Sequence, residues 1–209
     1  MEGESRQRIF VTGVNGHIGN HIVRDLLENG YCVRGSVRDL NDASKTDHVR
    51  AHATELGLED RLELVEGDVL EADGWSEMLE GCDGLFHTAT MYSTRATATT
   101  ILDTANKGTT HLLHAAAETG IQRVIYTSST AAVGTSPKGT TKDESVWNTD
   151  TSLPYTTAKT QSERLAWNLA EELGLDLRVI NPTAVLGGGF VRPTPSVDFF
   201  GDAIAGSYP

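Results

Sequence analysis

Short runs rich in β-branched residues alternate along the chain with longer stretches in which apolar residues recur at helical spacing. The runs predict strands at Arg8–Thr12, Tyr31–Val37, Leu62–Glu66, Gly84–His87, Arg123–Thr127 and Leu177–Ile180. The intervening stretches predict helices at His17–Glu28, Ser44–Leu56, Trp75–Leu79, Thr100–Glu118 and Tyr155–Glu172. Gly30, Gly57, Gly81, Gly120 and Gly174 each follow a last apolar turn, where a left-handed cap suits a residue without Cβ. Strands separated by helices pair in parallel, so the pattern predicts an α/β chain: a doubly wound parallel sheet with helices on both faces. Two stretches, Thr88–Thr100 and Gly134–Pro154, carry neither period and are read as loops. Both follow strands, on the sheet edge where open α/β folds bind ligands.

The first strand runs into Gly13-Val14-Asn15-Gly16-His17-Ile18-Gly19 and then into an amphipathic helix. In a Rossmann-type sheet this strand–glycine turn–helix context binds a dinucleotide, and the mechanism gives each glycine a task. Gly13 permits the tight turn, Gly16 lets backbone amides approach a pyrophosphate, and Gly19 lets the helix pack against the sheet. The second strand ends Ser36-Val37-Arg38-Asp39. Ser36 and Val37 stand where an NAD-selective site carries an acid, and Arg38 offers a charge-assisted bond to a 2′-phosphate. NADP(H) is therefore the preferred cofactor. Asp39 keeps NAD(H) as the alternative, because it is a ready partner for Arg38 and opposes a phosphate.

Charge narrows the partners. The 209 residues carry 17 Lys plus Arg against 29 Asp plus Glu, a net charge of −12, with the basic residues scattered, which argues against nucleic acid. No apolar run is long enough for a transmembrane helix, and the first ten residues lack the apolar stretch of a secretory signal. Cys32 and Cys82 match no CxxC spacing, so neither a zinc site nor a disulfide framework is indicated, and a cytoplasmic location fits best. The pairs His17/His21 and His48/His52 have i, i+4 spacing without a nearby third ligand and are read as surface or packed residues, not metal ligands.

Tyr155 and Lys159, at the start of a predicted helix, fall on one face one turn apart. A neighbouring ammonium stabilises a phenolate, which makes such a pair an acid/base couple. The strand Arg123–Thr127 delivers Ser128 and Ser129 to the same sheet edge, where a hydroxyl could hold a substrate carbonyl; Ser129 is favoured, with Ser128 open.

Taken together, these motifs resemble the extended short-chain dehydrogenase/reductase family, most closely its dihydroflavonol reductase and cinnamoyl-CoA reductase branch. TGxxGxxG appears as Thr12 to Gly19, the adenine-contacting element as Asp68-Val69, and FHxA as Phe86-His87-Thr88-Ala89. NxxGT is Asn106 to Thr109, TSS is Thr127 to Ser129, the DES segment is Asp143 to Trp147, and YxxxK is Tyr155 to Lys159. Ile180-Asn181-Pro182-Thr183 is similar to the turn that supports the nicotinamide.

The resemblance implies Ser129, Tyr155 and Lys159 as the catalytic set. It implies cofactor contacts from Thr12, Gly13, Asn15, Gly16, His17, Ile18, Gly19, Arg38, Asp68, Val69, Thr88, Ala89, Tyr155, Lys159 and Pro182. The activity it implies is reduction of a small-molecule ketone or aldehyde. A nucleotide-sugar epimerase or dehydratase retaining NAD, and an NADPH-binding domain with little turnover, stand as alternatives. Two departures are Gly187-Gly188 where the family has Gly-Pro, and a length short of the family's. Residues 1–189 are therefore expected to form the dinucleotide-binding domain with the catalytic residues, and 190–209 only the start of a substrate-binding region. Apolar positions around Val197, Phe199 and Phe200 leave self-association open.

Overall fold

The computed structural model describes residues 6–90, 96–188, 190 and 194–207. Its strands are β1 (Arg8–Thr12), β2 (Cys32–Val37), β3 (Leu62–Glu66), β4 (Gly84–His87), β5 (Arg123–Thr127) and β6 (Asp176–Ile180). Its helices are α1 (His17–Glu28), α2 (Ala43–Leu56), α3 (Trp75–Leu79), α4 (Ala98–Glu118), α5 (Pro154–Leu173) and α6 (Pro195–Ile204). Every strand pair is parallel, in the order β3-β2-β1-β4-β5-β6. The chain winds outward from β1 to β3, then returns to the other side of β1, so the direction of winding reverses between β1 and β4. A crevice opens at such a reversal because the two connections leave in opposite directions.

Alternation along β1 shows why both faces are covered. Phe10 and Val11 are both fully buried yet belong to different cores. Phe10 joins Trp75, Leu112, Leu113 and Val124, with its ring edge-on to Trp75 at 6.3 Å. Val11 joins Val14, Val23, Val33 and Val49 beneath α1 and α2. A strand buried on both faces has no polar side to expose, which is why β1 carries the continuous apolar run Ile9-Phe10-Val11.

The expected elements form, with shifts at their ends that local hydrogen bonds explain. Tyr31 donates its N–H to Leu26 O (3.0 Å) at the end of α1, so β2 begins at Cys32; β6 begins one residue early, at Asp176. Helix α4 takes the end of the expected Thr88–Thr100 loop, because the Thr97 hydroxyl accepts from the Thr100 N–H (3.1 Å) and starts the helix at Ala98. Residues 91–95 of that loop lie outside the described residues. Asp42 caps α2 in the same way, accepting from Ser44 N–H (3.1 Å), so that helix begins at Ala43. The five expected cap glycines all adopt positive φ, between 65° and 88°.

Helix α6 was not expected. Thr194 caps it by accepting from Val197 N–H (3.4 Å), and it leaves Phe199 and Phe200, 43% and 37% exposed, edge-to-face at 5.4 Å. Val197 is only partly exposed. Among the described residues no helix is long and apolar enough to cross a membrane.

Candidate active site

The glycine turn is built by exclusion. Gly13 has φ +65°, and a Cβ there would stand 3.0 Å from Ala89 Cα. The chain leaving β4 therefore lies directly over the turn. A Cβ on Gly19 would come 2.4 Å from the Gly13 carbonyl oxygen, so the preceding turn, rather than the sheet expected from the sequence, forbids a side chain there. The contact with the neighbouring strand is instead made by Gly35, where a Cβ would meet Val14 Cγ1 at 2.5 Å.

Thr12 locks this arrangement. Its hydroxyl oxygen accepts from the Thr88 and Ala89 N–H groups, both at 3.0 Å, and its proton is left for His87 Nδ1, also at 3.0 Å. The imidazole is thus an acceptor at Nδ1. Burial, with Lys159 adding a second unfavourable charge, pushes His87 down to about 3, so the ring is neutral. Thr12 is fully buried and its hydroxyl is consumed by these bonds, so it shapes the turn from behind instead of facing the cleft.

Two lobes of one cleft meet at this turn, and Gly13, Gly16, Thr88 and Thr90 line both. The first, of about 810 Å³, is lined by Asn15, Ser36, Val37, Arg38, Asp68, Val69 and Ala89 as well. Arg38 stands exposed on its rim, while Asp39 turns its carboxylate to the Asn41 N–H (2.9 Å). Asp68 accepts from Leu70 N–H (3.0 Å), which fixes the turn after β3. The second lobe, of about 1050 Å³, is lined by His17, Ile18, Gly19, Ser128, Ser129, Tyr155, Lys159 and Pro182. At the junction, Gly16 is the N-cap of α1, which has no side-chain cap and no acid in its first turn. Its first amides and the positive end of its dipole are left to a ligand.

This shape fits a dinucleotide, with a nucleotide in each lobe and a pyrophosphate at the shared glycines. Ser128 supplies a further observation: it is buried, lines the second lobe, and its Oγ has no hydrogen-bond partner among the described residues. A ligand in that lobe would satisfy it. Ser129 is partly exposed to the same lobe, and its Oγ accepts from Ala131 N–H (3.1 Å).

Lys159 is 2% exposed, and its ammonium donates to the Thr127 carbonyl at 3.0 Å. Burial lowers it to about 8 against a raising influence from Glu163. The sequence reading missed Glu163, although its place four residues after Lys159 repeats the Tyr155–Lys159 spacing. Its Oε2 accepts from Asn181 Nδ2 at 2.7 Å, and the same Nδ2 donates to the Ser129 carbonyl at 3.1 Å. Asn148 was missed as well. Its backbone N–H donates to Ala132 O (2.7 Å) and its Nδ2 to Ala131 O (2.8 Å). With the Arg164 guanidinium 4.7 Å above the Trp147 ring, these bonds pin the 134–154 loop beside the second lobe.

The two histidine pairs, separate in sequence, come together around Phe190. That ring stacks on His17 at 5.1 Å and meets His48 edge-on at 5.8 Å, while His52 Nε2 bonds Asn20 Oδ1 at 2.8 Å. Among the described residues, no group of three or more His, Cys, Asp or Glu is arranged to hold a metal ion.

Known proteins are similar to this chain in sequence and in fold. Cinnamoyl-CoA reductase 1 of Petunia hybrida is 39% identical over 195 residues, covering 90% of this chain and 57% of that protein. The chain thus spans a little over half the length of that curated relative. Vestitone reductase from alfalfa (Medicago sativa) superposes with a TM-score of 0.75 at 27% identity, covering 92% of this chain and 62% of that one. Yeast methylglyoxal/isovaleraldehyde reductase Gre2, solved with NADPH, gives 0.76 at 26% identity, covering 87% and 59%. The model of the NAD dependent epimerase/dehydratase family matches residues 9–201, from β1 into α6, and the chain belongs to that family.

Proposed function

We propose that this chain carries the cofactor site and the reacting groups of an NADPH-dependent reductase acting on a ketone or aldehyde. The observation that carries the reading is the second lobe, which Tyr155, the buried Lys159 and Ser129 line together with Gly13, Gly16 and Gly19 of the glycine turn. The named reductase relatives, one of them solved with NADPH, support it.

When bound, NADPH supplies the hydride. The Gly13–Gly19 turn and the first amides of α1 would hold its pyrophosphate, Arg38 its 2′-phosphate, and Asp68-Val69 its adenine end. The Ser129 hydroxyl orients the substrate carbonyl and polarises it by donating to its oxygen. Tyr155 gives its phenolic proton to that oxygen as the alkoxide forms, and the Lys159 ammonium on the same helix face stabilises the phenolate left behind. Lys159, itself buried, is held for this by the Thr127 carbonyl. A retained-NAD epimerase would use the same tyrosine and lysine; the exposed Arg38 on the first lobe favours the reductase, because an arginine there adds nothing to NAD.

The test is NADPH oxidation with a panel of aromatic and aliphatic carbonyls. Tyr155→Phe is expected to lose turnover while keeping NADPH binding by fluorescence titration, and full activity in that variant would overturn the assignment.

A further inference from the structure

Among the described residues, two of the Asp, Glu, Lys and Arg side chains are buried, Lys159 at 2% and Glu163 at 7% exposure. They have opposite signs and lie one turn apart on α5. An isolated buried carboxylate is costly, so its position calls for a reason.

The surroundings give one. The two protons of Asn181 Nδ2 are divided between Glu163 Oε2 (2.7 Å) and the Ser129 carbonyl (3.1 Å), so Glu163 orients the amide that joins the end of β6 to the turn after β5. The same turn is tied to the exit of β6 by backbone bonds, Ser128 N–H to Ile180 O (2.9 Å) and Thr130 N–H to Pro182 O (3.0 Å). Among the described residues, the titratable groups that the sheet packs near this part of α5 bring no compensating negative charge. His87 on β4 is neutral, and Tyr126 on β5 is kept protonated by burial, with its hydroxyl 3.1 Å from Thr109 Oγ1 on α4. On α5 itself the neighbours are Tyr155, neutral when it carries its proton, and Glu163.

We propose that Glu163 is a positioning residue for the reaction proposed above: its carboxylate keeps the Lys159 side chain an ammonium and, through Asn181, fixes the turn that presents Ser129. The inference rests on the reductase reading for its purpose, but its electrostatic half is a property of the chain without cofactor or substrate. A group that only filled space would leave the lysine's protonation unchanged.

The closing experiment reads Lys159 directly. The chain is labelled with 13C at lysine Cε, the Lys159 signal is assigned with Lys159→Arg, and its titration is followed in the wild type, Glu163→Gln and Glu163→Asp. The Gln variant keeps an acceptor for Asn181 and removes the charge, so the Lys159 midpoint is expected to fall by about one pH unit, with Asp restoring most of it. Coincident midpoints in wild type and Gln would overturn the proposal. Should Gln not fold, Glu163→Leu, similar in volume, carries the same two outcomes. The alkaline limb of kcat/KM for NADPH oxidation is expected to move with the midpoint. A wild type that titrates as expected but reduces no carbonyl would refute the reductase reading and leave the Glu163–Lys159 coupling standing.

Discussion

The Thr12 hydroxyl lies 3.0 Å from Nδ1 of His87, joining the C-terminal ends of two adjacent strands, β1 and β4, at the point where the sheet reverses its winding. Because Thr12 also holds the Thr88 and Ala89 amides, one side chain sets the distance between the glycine turn and the chain that crosses it. Thr12→Val keeps the shape and removes the oxygen. It leaves two amides and one ring nitrogen unpaired, and about 3 kcal/mol of stability is expected to be lost in urea unfolding, with weaker dinucleotide binding. A loss below about 1 kcal/mol would show that water replaces the hydroxyl.

His87 makes this junction sensitive to acid. Its native value of about 3 lies below the unfolded 6.5, so the unfolded chain takes up a proton that the native ring refuses. The stability tied to His87 is fully present above pH 6.5 and is lost as pH falls toward about 3. A His87→Gln variant is expected to show a shallower decline of unfolding free energy across that window. Parallel curves for the two proteins would count against a neutral buried imidazole.

Much of this was readable in sequence because it is local. The glycine turn, its flanking strand and helix, and the Tyr155–Lys159 spacing each lie within one or two turns of chain, and the strands announce themselves as short β-branched runs between helical stretches. What sequence left unread is contact across the fold. Thr12 and His87 are 75 residues apart, Asn181 and Ser129 are 52 apart, and the meeting of His17 and His48 on Phe190 depends on α1 packing beside α2. The missed α6 is different: its capping threonine at 194 and its apolar period were present, but its exposed Phe199 and Phe200 belong to no core that would have confirmed a helix.

Arg38 stands on the rim of the first lobe, away from the reacting groups. Its removal is therefore expected to act on one cofactor alone. Arg38→Ala should weaken NADPH binding by about ten- to hundredfold, the worth of a charge-assisted bond, with NADH affinity unchanged. Equal loss for both cofactors in fluorescence titrations would remove Arg38 from the 2′-phosphate site.

The proposed role of Lys159 implies an alkaline limit. In the proposed mechanism the ammonium is the working form, and with the buried amine at about 8, kcat/KM is expected to fall as pH rises through that value, approaching a tenfold loss per pH unit. Lys159→Arg holds its charge throughout this range, so any activity it retains should lose that limb. A wild-type profile flat to pH 10 would show that the amine's charge is not needed.

If hydride passes to a carbonyl carbon in the second lobe, a deuterium label on the cofactor must follow it. NADPH carrying deuterium at the transferable C4 position is incubated with the chain and an accepted ketone, and the alcohol is analysed by mass spectrometry and NMR. One deuterium is expected on the carbinol carbon in the wild type, and none in Tyr155→Phe beyond the uncatalysed background. Alcohol formed without deuterium, or equal labelling in both proteins, would contradict the assignment.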